Sequence, residues 1–350
     1  MAEAAALGAL NPGVARREVA AWAMYDFANS GYTTVVLTAV FNAYFVSVVA
    51  GDAPWATFAW TAALSVSYAM VMFAGPVLGA WADAHAAKKK LLAVSTIVCV
   101  AGTLGLAGAG PGAVAWAIAF VIVSNFAYSI GENLCAAFLP EIARPHSLGK
   151  VSGWGWGLGY FGGILALGIS LAWVMTASSR GSTTGEAVAG TMVITAVIFA
   201  LASLPTFLLL RERGMPTQAH PPHETFARLA ETARSARRYR DLFLVFASGV
   251  CYQAGVATVI ALAAIYAEQV MGFKTQDTIM LVLVVNVTAA IGALGFGYAQ
   301  DRIGKVMALR ITIVGWIAMT VVAFYSQTPG MFWVAANLAG LCMGSSQSAG

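Results

Sequence analysis

Two acidic residues stand inside segments that are otherwise apolar. Asp26 lies in the stretch WAMYDFANSGYTTVVLTAVF, which runs from Trp22 to Phe41, and Glu132 lies in the apolar run 113–139. A charged side chain in membrane hydrocarbon costs a few kcal/mol or more, so it usually has a partner, a water-filled cavity or a function. Such a carboxylate can bind a proton or the ammonium group of a solute; the structural alternative is that Asp26 braces neighbouring helices.

Each acid belongs to a stripe of polar residues at helical spacing. The two stripes are Asp26, Asn29, Ser30, Thr33 and Asn125, Tyr128, Ser129, Glu132. Counted from the inner ends of their segments, the two acids lie about 12 and 13 Å deep at 1.5 Å per residue. Because nearby carboxylates repel each other and burial adds to this, we expect at least one of them to hold its proton more tightly than in water.

Other apolar segments contain uncharged polar side chains and a run of glycines. Tyr252, Gln253 and Asn337 could hydrogen-bond a polar solute, although packing between helices is the alternative for each. Asn286 is predicted to be structural. The spacing Gly155-x-x-x-Gly159-x-x-x-Gly163 provides a close-packing face, either as plain helix contact or as a surface on which a neighbouring helix rocks during gating.

Membrane-spanning helices must position these residues. Of the 350 residues, 59% are hydrophobic and 10% are charged, whereas a soluble domain has about 25% charged residues. No regular series of ten-residue alternating segments indicates a membrane barrel. Ten apolar runs are long enough to cross about 30 Å of hydrocarbon, at 19–49, 55–82, 90–110, 113–139, 150–177, 188–210, 241–268, 277–299, 306–326 and 330–350.

The distribution of basic residues predicts the orientation and a central linker. With the N-terminus in the cytosol, only Arg180 and Lys274 among 19 lysines and arginines fall outside. The longest break contains ETFARLAETARSARRYR, which predicts a basic amphipathic helix, either solvated or resting on the anionic inner leaflet. The chain then divides into a cytosolic tail 1–18, a six-helix bundle 19–210, a cytosolic linker 211–240 and a second bundle 241–350.

A short signature occurs at matching positions in the two halves. Gly79-Ala-Trp-Ala-Asp83 closes the second span, and Gly297-Tyr-Ala-Gln-Asp301-Arg302-Ile-Gly304-Lys305 closes the eighth. Two such copies indicate a parallel internal repeat. The second copy resembles the loop signature of the major facilitator superfamily, and the first is a degenerate copy of it. Within that superfamily, YDFANSGYTTVVLTAVF and GKVSGWGWGLGYFGG resemble the vacuole effluxer family, which includes autophagy-related vacuolar amino-acid effluxers and many bacterial members.

The resemblance implies an all-α membrane fold of two six-helix bundles, with the first, fourth, seventh and tenth helices around a central cavity. It would place both acids in that cavity, although Glu132 departs from the family pattern, in which a neutral polar residue is commoner here. It also implies two further helices beyond Gly350, so that the second bundle holds four of an expected six. A chain of ten complete helices is the alternative.

The function implied by these observations is secondary active transport of a small polar solute by alternating access, coupled to protons. Amino acids are the first substrate class by resemblance. The alternative is a non-transporting membrane receptor or scaffold that keeps the fold.

Enzyme chemistry is not indicated, because no phosphate-binding loop, His-Glu-x-x-His or Gly-x-Ser-x-Gly motif occurs. The four histidines all fall in predicted loops, so we expect no metal and no cofactor. The net charge of +4 follows from the basic inner loops and requires no nucleic-acid partner. The expected partners are a small-molecule substrate, protons and the lipid bilayer of a bacterial inner membrane.

Overall fold

Ten long helices dominate the part of the chain that the structure describes. The computed structural model describes residues 8–216, 222–238, 240–269, 271–273 and 275–349. We label the long helices in chain order as α1 Arg16–Val49, α2 Ala56–His85, α3 Lys88–Leu106, α4 Val114–Ala136, α5 Leu148–Ser179, α6 Thr184–Leu209, α7 Arg240–Gln269, α8 Thr275–Ile303, α9 Lys305–Phe324 and α10 Pro329–Ala349. A linker helix, Pro222–Arg238, lies between α6 and α7.

Eight helices in the described part of the chain, α1–α6, α8 and α9, are long and apolar enough to cross a membrane. They confirm the predicted polytopic helical membrane protein. The predicted spans 241–268 and 330–350 fall on α7 and α10, which are not among the eight. The described residues of α7 include the apolar helical segment Phe243–Val259, and in α10 polar residues such as Asn337 and Gln347 lower the mean hydropathy.

The first helix changes its winding in the middle of its length. It is an α-helix over Arg16–Gly31 and a π-helix over Tyr32–Ala39. A π-helix bonds each residue to the one five positions on and is often found at functional sites. The Thr38 hydroxyl accordingly donates to the Thr33 carbonyl oxygen at 2.9 Å. The wider turn therefore brings Thr38 onto the same side of α1 as Thr33 of the polar stripe.

Buried tyrosines of α1 connect it to two neighbouring helices. The Tyr25 hydroxyl hydrogen-bonds the Thr96 hydroxyl of α3 at 3.0 Å, and the Tyr32 hydroxyl bonds the Ser124 hydroxyl of α4 at 2.8 Å. Both tyrosines are at most 1% exposed. Hydrogen bonds between polar side chains join helices where the surroundings are apolar, so these two contacts fix the rotation of α1 in the bundle.

The segment after α6 folds back onto the end of the molecule that carries the loops rich in lysine and arginine, which we call the basic end. There Glu212 accepts hydrogen bonds from the backbone N–H groups of Lys88 at 2.7 Å and Lys89 at 3.2 Å, which caps the start of α3. Arg213 pairs with Glu18 of α1 at 2.9 Å. These contacts fasten residues 212 and 213 to the first six helices, while the division of the chain at 210 and 240 stays a prediction.

Glycines of α5 form two faces, and each face meets a different helix. On the face toward α1, a Cβ at Gly159 would lie 3.0 Å from the Ser30 hydroxyl. On the face toward α8, a Cβ at Gly153 would lie 2.7 Å from the Ala293 carbonyl oxygen and 3.2 Å from the Gly297 Cα. Real side chains have no room at such distances, so the backbones of α5 and its two neighbours are in direct contact.

Substitution of Gly162 tests the α1–α5 contact. A Cβ there would press on the Phe27 backbone, with its carbonyl carbon 2.7 Å away. We expect Gly162→Ala to destabilise the protein by about 1–3 kcal/mol through overpacking. Gly168→Ala on the same helix is the matched control, because no atom lies within 4 Å of its Cβ position. It should be neutral or stabilising, by up to about 1 kcal/mol. Thermal unfolding of the purified protein in detergent measures both, and equal unfolding temperatures would contradict the contact.

Candidate functional site

A cavity of about 300 Å³ lies between α1, α4 and α5 on one side and α7, α8, α9 and α10 on the other. This volume is at the lower end of the range for small-molecule sites, roughly 300–1,000 Å³. The resemblance placed the first, fourth, seventh and tenth helices around a cavity, and α1, α4, α7 and α10 do contribute to its wall. Residues from α5, α8 and α9 complete it.

Four of the predicted binding residues line this cavity: Asn29 and Thr33 from α1, and Tyr128 and Glu132 from α4. The ring of Tyr128 stacks on that of Tyr32, with centroids 5.2 Å apart. The Tyr128 hydroxyl also interacts with the Glu132 carboxylate. The two stripes predicted from residue spacing are therefore adjacent, and they bring one carboxylate to the cavity wall.

Asp26 is not among the residues that line the cavity, which differs from the position implied by the resemblance. Its carboxylate lies against Gly155 of α5, beside the indole ring of Trp22. The reason is the glycine face of α5, which lets α1 approach so closely that the contact covers this turn. Glu132 remains near enough for an electrostatic interaction between the two carboxyl groups.

Three other predicted binding residues also lie outside the cavity wall. The Tyr252 hydroxyl is hydrogen-bonded to the Ser346 hydroxyl, which joins α7 to α10. Asn337 donates to the Trp333 carbonyl oxygen of its own helix at 2.8 Å. Gln253 is exposed on α7. The bond of Tyr252 joins two helices, as in the packing alternative, whereas the bond of Asn337 stays within its own helix.

Sequence reasoning missed several residues of the cavity wall. Trp156 and Tyr160 of α5, Trp316 of α9 and Asn286 of α8 all line it, and Asn286 also donates to the Val282 carbonyl oxygen at 2.8 Å. Trp156 and Tyr160 are four residues apart and lie between the two glycine faces of α5. That spacing of two aromatic residues within a glycine-rich helix was a signal in the sequence that could have identified them.

Between the cavity and the basic end, α5 and α8 close onto each other. Gly149 and Gly153 of α5 meet Gly297 and Asp301 of α8 at that end. Farther along α5, Tyr160 packs against Ala289 of α8 and lines the cavity. The direct backbone contact therefore lies between the basic loops and the cavity.

The second loop signature contributes to this closure. The Asp301 carboxylate accepts a hydrogen bond from the backbone N–H of Lys150 at 3.0 Å, and so caps the first turn of α5. Gly304 has a φ of 85°, a left-handed conformation that favours glycine, and it turns the chain from α8 into α9. Arg302 and Lys305 are exposed beside it. Asp301 thus caps α5, and Gly304 allows the turn between α8 and α9.

The degenerate first signature is arranged differently. No atom lies within 4 Å of a Cβ built on Gly79, and exposed Asp83 pairs with Lys88 at 3.2 Å. Lys88 pairs with Glu141 as well, at 3.1 Å. Asp83 therefore belongs to an ionic cluster of the first bundle, whereas Asp301 joins the two halves of the chain.

Comparison with known proteins supports the same fold. Residues 56–350 match the family described as "Vacuole effluxer Atg22 like". A curated relative, the uncharacterized MFS-type transporter YxiO of Bacillus subtilis (strain 168), is 29% identical over 334 residues, covering 93% of this chain and 78% of the relative.

Solved structures with low sequence identity share the fold. The proton:xylose symporter XylE of E. coli aligns with a TM-score of 0.65 at 16% identity, over 95% of this chain and 79% of that chain. The human organic anion transporter MFSD10 (TETRAN) aligns with a TM-score of 0.67 at 13% identity, over 95% and 85%. These likenesses show the major facilitator fold.

The two signature aspartates should differ in their effect on stability. We expect Asp301→Ala to cost about 1 kcal/mol, because it removes the cap of α5. Asp83→Ala should cost less, about 0–1 kcal/mol, because it removes one exposed ion pair and Lys88 keeps Glu141. Thermal unfolding in detergent compares the variants, and hydrogen exchange of the first turn of α5 localises the effect. A larger loss for Asp83→Ala, or unchanged exchange in Asp301→Ala, would contradict the capping role.

Proposed function

Since this chain belongs to the vacuole effluxer Atg22-like family of major facilitator transporters, we propose that it carries a small polar solute across a membrane by alternating access, coupled to protons. Transport as such, and a multi-pass membrane location, follow from the family and the fold. Its relatives are transporters rather than enzymes. The solute class, the coupling and the cellular membrane are the proposal.

The observation that carries the proposal is a cavity whose polar groups come from both halves of the chain. Asn29 and Glu132 belong to the first half, and Asn286 and Gln347 belong to the second. A solute that touches both halves has contacts that change when the halves move, and only such differential contact couples binding to a conformational change. This arrangement supports a carrier more than a receptor or scaffold.

Amino acids are the first solute class to test. The likeness to vacuolar amino-acid effluxers supports this choice, and Glu132 supplies a carboxylate on which an ammonium group can bind. The cavity volume of about 300 Å³ is suited to a solute of this size.

Alternating access requires that the contact at the basic end separate. We propose that the first bundle, 19–210, rocks against the second, 241–350, and that α5 is the element on which they move. Its glycine face toward α1 contains Gly155, Gly159 and Gly163, and its face toward α8 meets Gly297. The contact with α8 brings backbone against backbone, and on the α1 face the glycines meet side chains of α1 such as that of Ser30. Because the glycines of α5 contribute no side chain to either contact, the helices can slide with few rearrangements, which supports a gating role for both faces.

Proton coupling is supported by the two neighbouring carboxylates. Asp26 and Glu132 repel each other, and binding one proton removes that repulsion. XylE, a neighbour in fold, is described as a proton:xylose symporter. The excess of lysine and arginine in the inner segments supports a cytosolic N-terminus, and a bacterial inner membrane is the location we propose.

Flux measurements in proteoliposomes test the coupling. We expect Asp26→Asn to abolish solute uptake driven by a pH gradient while exchange of labelled for unlabelled solute continues, because exchange requires no net proton movement. Glu132→Gln should abolish both uptake and exchange. Asp52→Asn is the matched control, because Asp52 is an exposed carboxylate with a φ of 54° that asparagine tolerates.

Three results would contradict parts of this proposal. pH-driven uptake that is unchanged in both Asp26→Asn and Glu132→Gln would exclude coupling through these acids. Exchange without any response to a pH gradient in the unaltered protein would exclude proton coupling altogether. Neither uptake nor exchange for any polar solute would favour the receptor or scaffold alternative.

A further inference from the structure

Side chains of α5 and α8 meet beside the glycine contact at the basic end. Lys150 and Trp154 are four residues apart on α5, so they share one face of that helix. The indole N–H of Trp154 donates to the Tyr298 hydroxyl of α8 at 3.1 Å. The ammonium nitrogen of Lys150 lies 5.0 Å from the ring centroid of Tyr298 and 5.4 Å from that of Trp154. The three side chains therefore form one cluster that bridges the two halves of the chain.

The cluster has the geometry of a cation–π contact with two rings. A lysine ammonium within about 6 Å of an aromatic centroid is attracted to the ring, and the attraction is modest where water has access. Trp154 is partly buried, and Tyr298 is 44% exposed. Because water can replace these contacts when the helices separate, each of them contributes only a modest net free energy. A cluster of this kind favours the closed arrangement of α5 and α8 without preventing its opening.

Tyr298 belongs to the second half of the chain alone. It follows Gly297 in the second loop signature, whereas Ala80 follows Gly79 at the same place in the first signature. An alanine provides neither an aromatic ring nor a hydroxyl. The cluster is therefore not part of the repeated signature, and it is particular to the contact between α5 and α8.

We propose that Lys150, Trp154 and Tyr298 form a latch that holds α5 and α8 together between the cavity and the basic end, and that its strength sets how often the carrier opens there. This inference rests on the proposed alternating access, because the latch regulates entry to the same cavity.

The latch adds what the glycine contact lacks. Glycines let the two backbones touch, but they supply only close packing. The hydrogen bond and the cation–π contacts join side chains of opposite halves, so they are present when the halves touch and lost when they part. Only contacts that differ between two states bias the equilibrium between those states.

The separation of two labels at the basic end measures the opening without any solute. His146 precedes α5 and Val306 lies in the first turn of α9, and both are exposed. Spin labels are attached at His146→Cys and Val306→Cys of the full chain, with the exposed Cys251 replaced by serine. Pulsed electron paramagnetic resonance in nanodiscs then gives the distance between the labels. We expect a major population at short distance, which is the closed arrangement, and a minor population at longer distance.

Conservative variants remove single contacts of the latch. Trp154→Phe and Tyr298→Phe each keep an aromatic ring and lose the hydrogen bond, so each should raise the ratio of open to closed protein by about fivefold, the effect of one hydrogen bond. Because both variants remove the same bond, the double variant should raise the ratio little further. Lys150→Met removes the cation and keeps the backbone N–H that bonds Asp301, and it should raise the ratio by about twofold or more.

Trp116→Phe is the matched control. The indole N–H of Trp116 donates to the Gly105 carbonyl oxygen at 2.8 Å, which is a bond within the first half of the chain. Loss of this bond should leave the ratio of open to closed protein unchanged. A rise as large as that in Trp154→Phe would show that any lost indole bond loosens the protein, and would overturn the latch.

The remaining outcomes separate the latch from the function on which it rests. An unchanged ratio in Trp154→Phe and Tyr298→Phe, or effects that add fully in the double variant, would overturn the latch and leave the proposed alternating access intact. A single distance that is the same in the unaltered protein and in every variant would overturn the proposed opening at the basic end together with the latch.

Discussion

The backbone contacts of α5 are the constraint on which the remaining structure depends. Gly162 lies against the backbone of α1 at Phe27, and Gly153 lies against the backbone of α8 at Ala293 and Gly297. Since an α-helix turns by about 100° per residue, a helix that contacts one neighbour on each of two faces has its rotation fixed. The direction of every other α5 side chain follows from these two contacts, including those of Trp156 and Tyr160.

This constraint also determines where space is available. Direct contact of α5 with α1 covers Asp26, and direct contact with α8 closes the basic end. A cavity remains only beyond these contacts, where larger side chains such as Tyr160 and Trp156 separate the helices. The packing of the helices thus determines which α1 side chains line the cavity. The turn that carries Asp26 is covered by α5. Asn29 and Thr33, one and two turns later, line the cavity.

The sequence predicted those features that depend on local periodicity or on composition. Low charge and long apolar runs indicated helices in a membrane, and the spacing of Asn29 with Thr33 and of Tyr128 with Glu132 indicated which residues share a face. Glycines four residues apart indicated close packing on α5. Each of these depends on one helix at a time, so a single sequence contains the information.

Features that depend on how two helices approach could not be predicted in the same way. Asp26 belongs to the predicted polar stripe. Whether its side chain faces the cavity or a neighbouring helix depends on how closely Gly155 lets α5 approach α1. Tyr252 and Asn337 are polar residues in apolar helices, as the predicted site required, but a sequence does not show that their hydrogen-bond partners are Ser346 and Trp333. Tyr160 was not predicted, because the position of its ring in the cavity wall is visible only in three dimensions.

Asp26 and Glu132 lie in different environments, which supports different roles for the two acids. Glu132 lies in the cavity wall, where its charge would act directly on a solute bound as we propose. Asp26 lies in the α1–α5 contact, where its charge acts on the packing of the helix that also meets the second half of the chain. Because the two carboxylates repel each other and such repulsion is strong where water is scarce, a cation bound at Glu132 changes the cost of ionising Asp26. In the proposed carrier, solute binding and helix packing would thereby be connected through one electrostatic interaction, without any direct contact between the solute and Asp26.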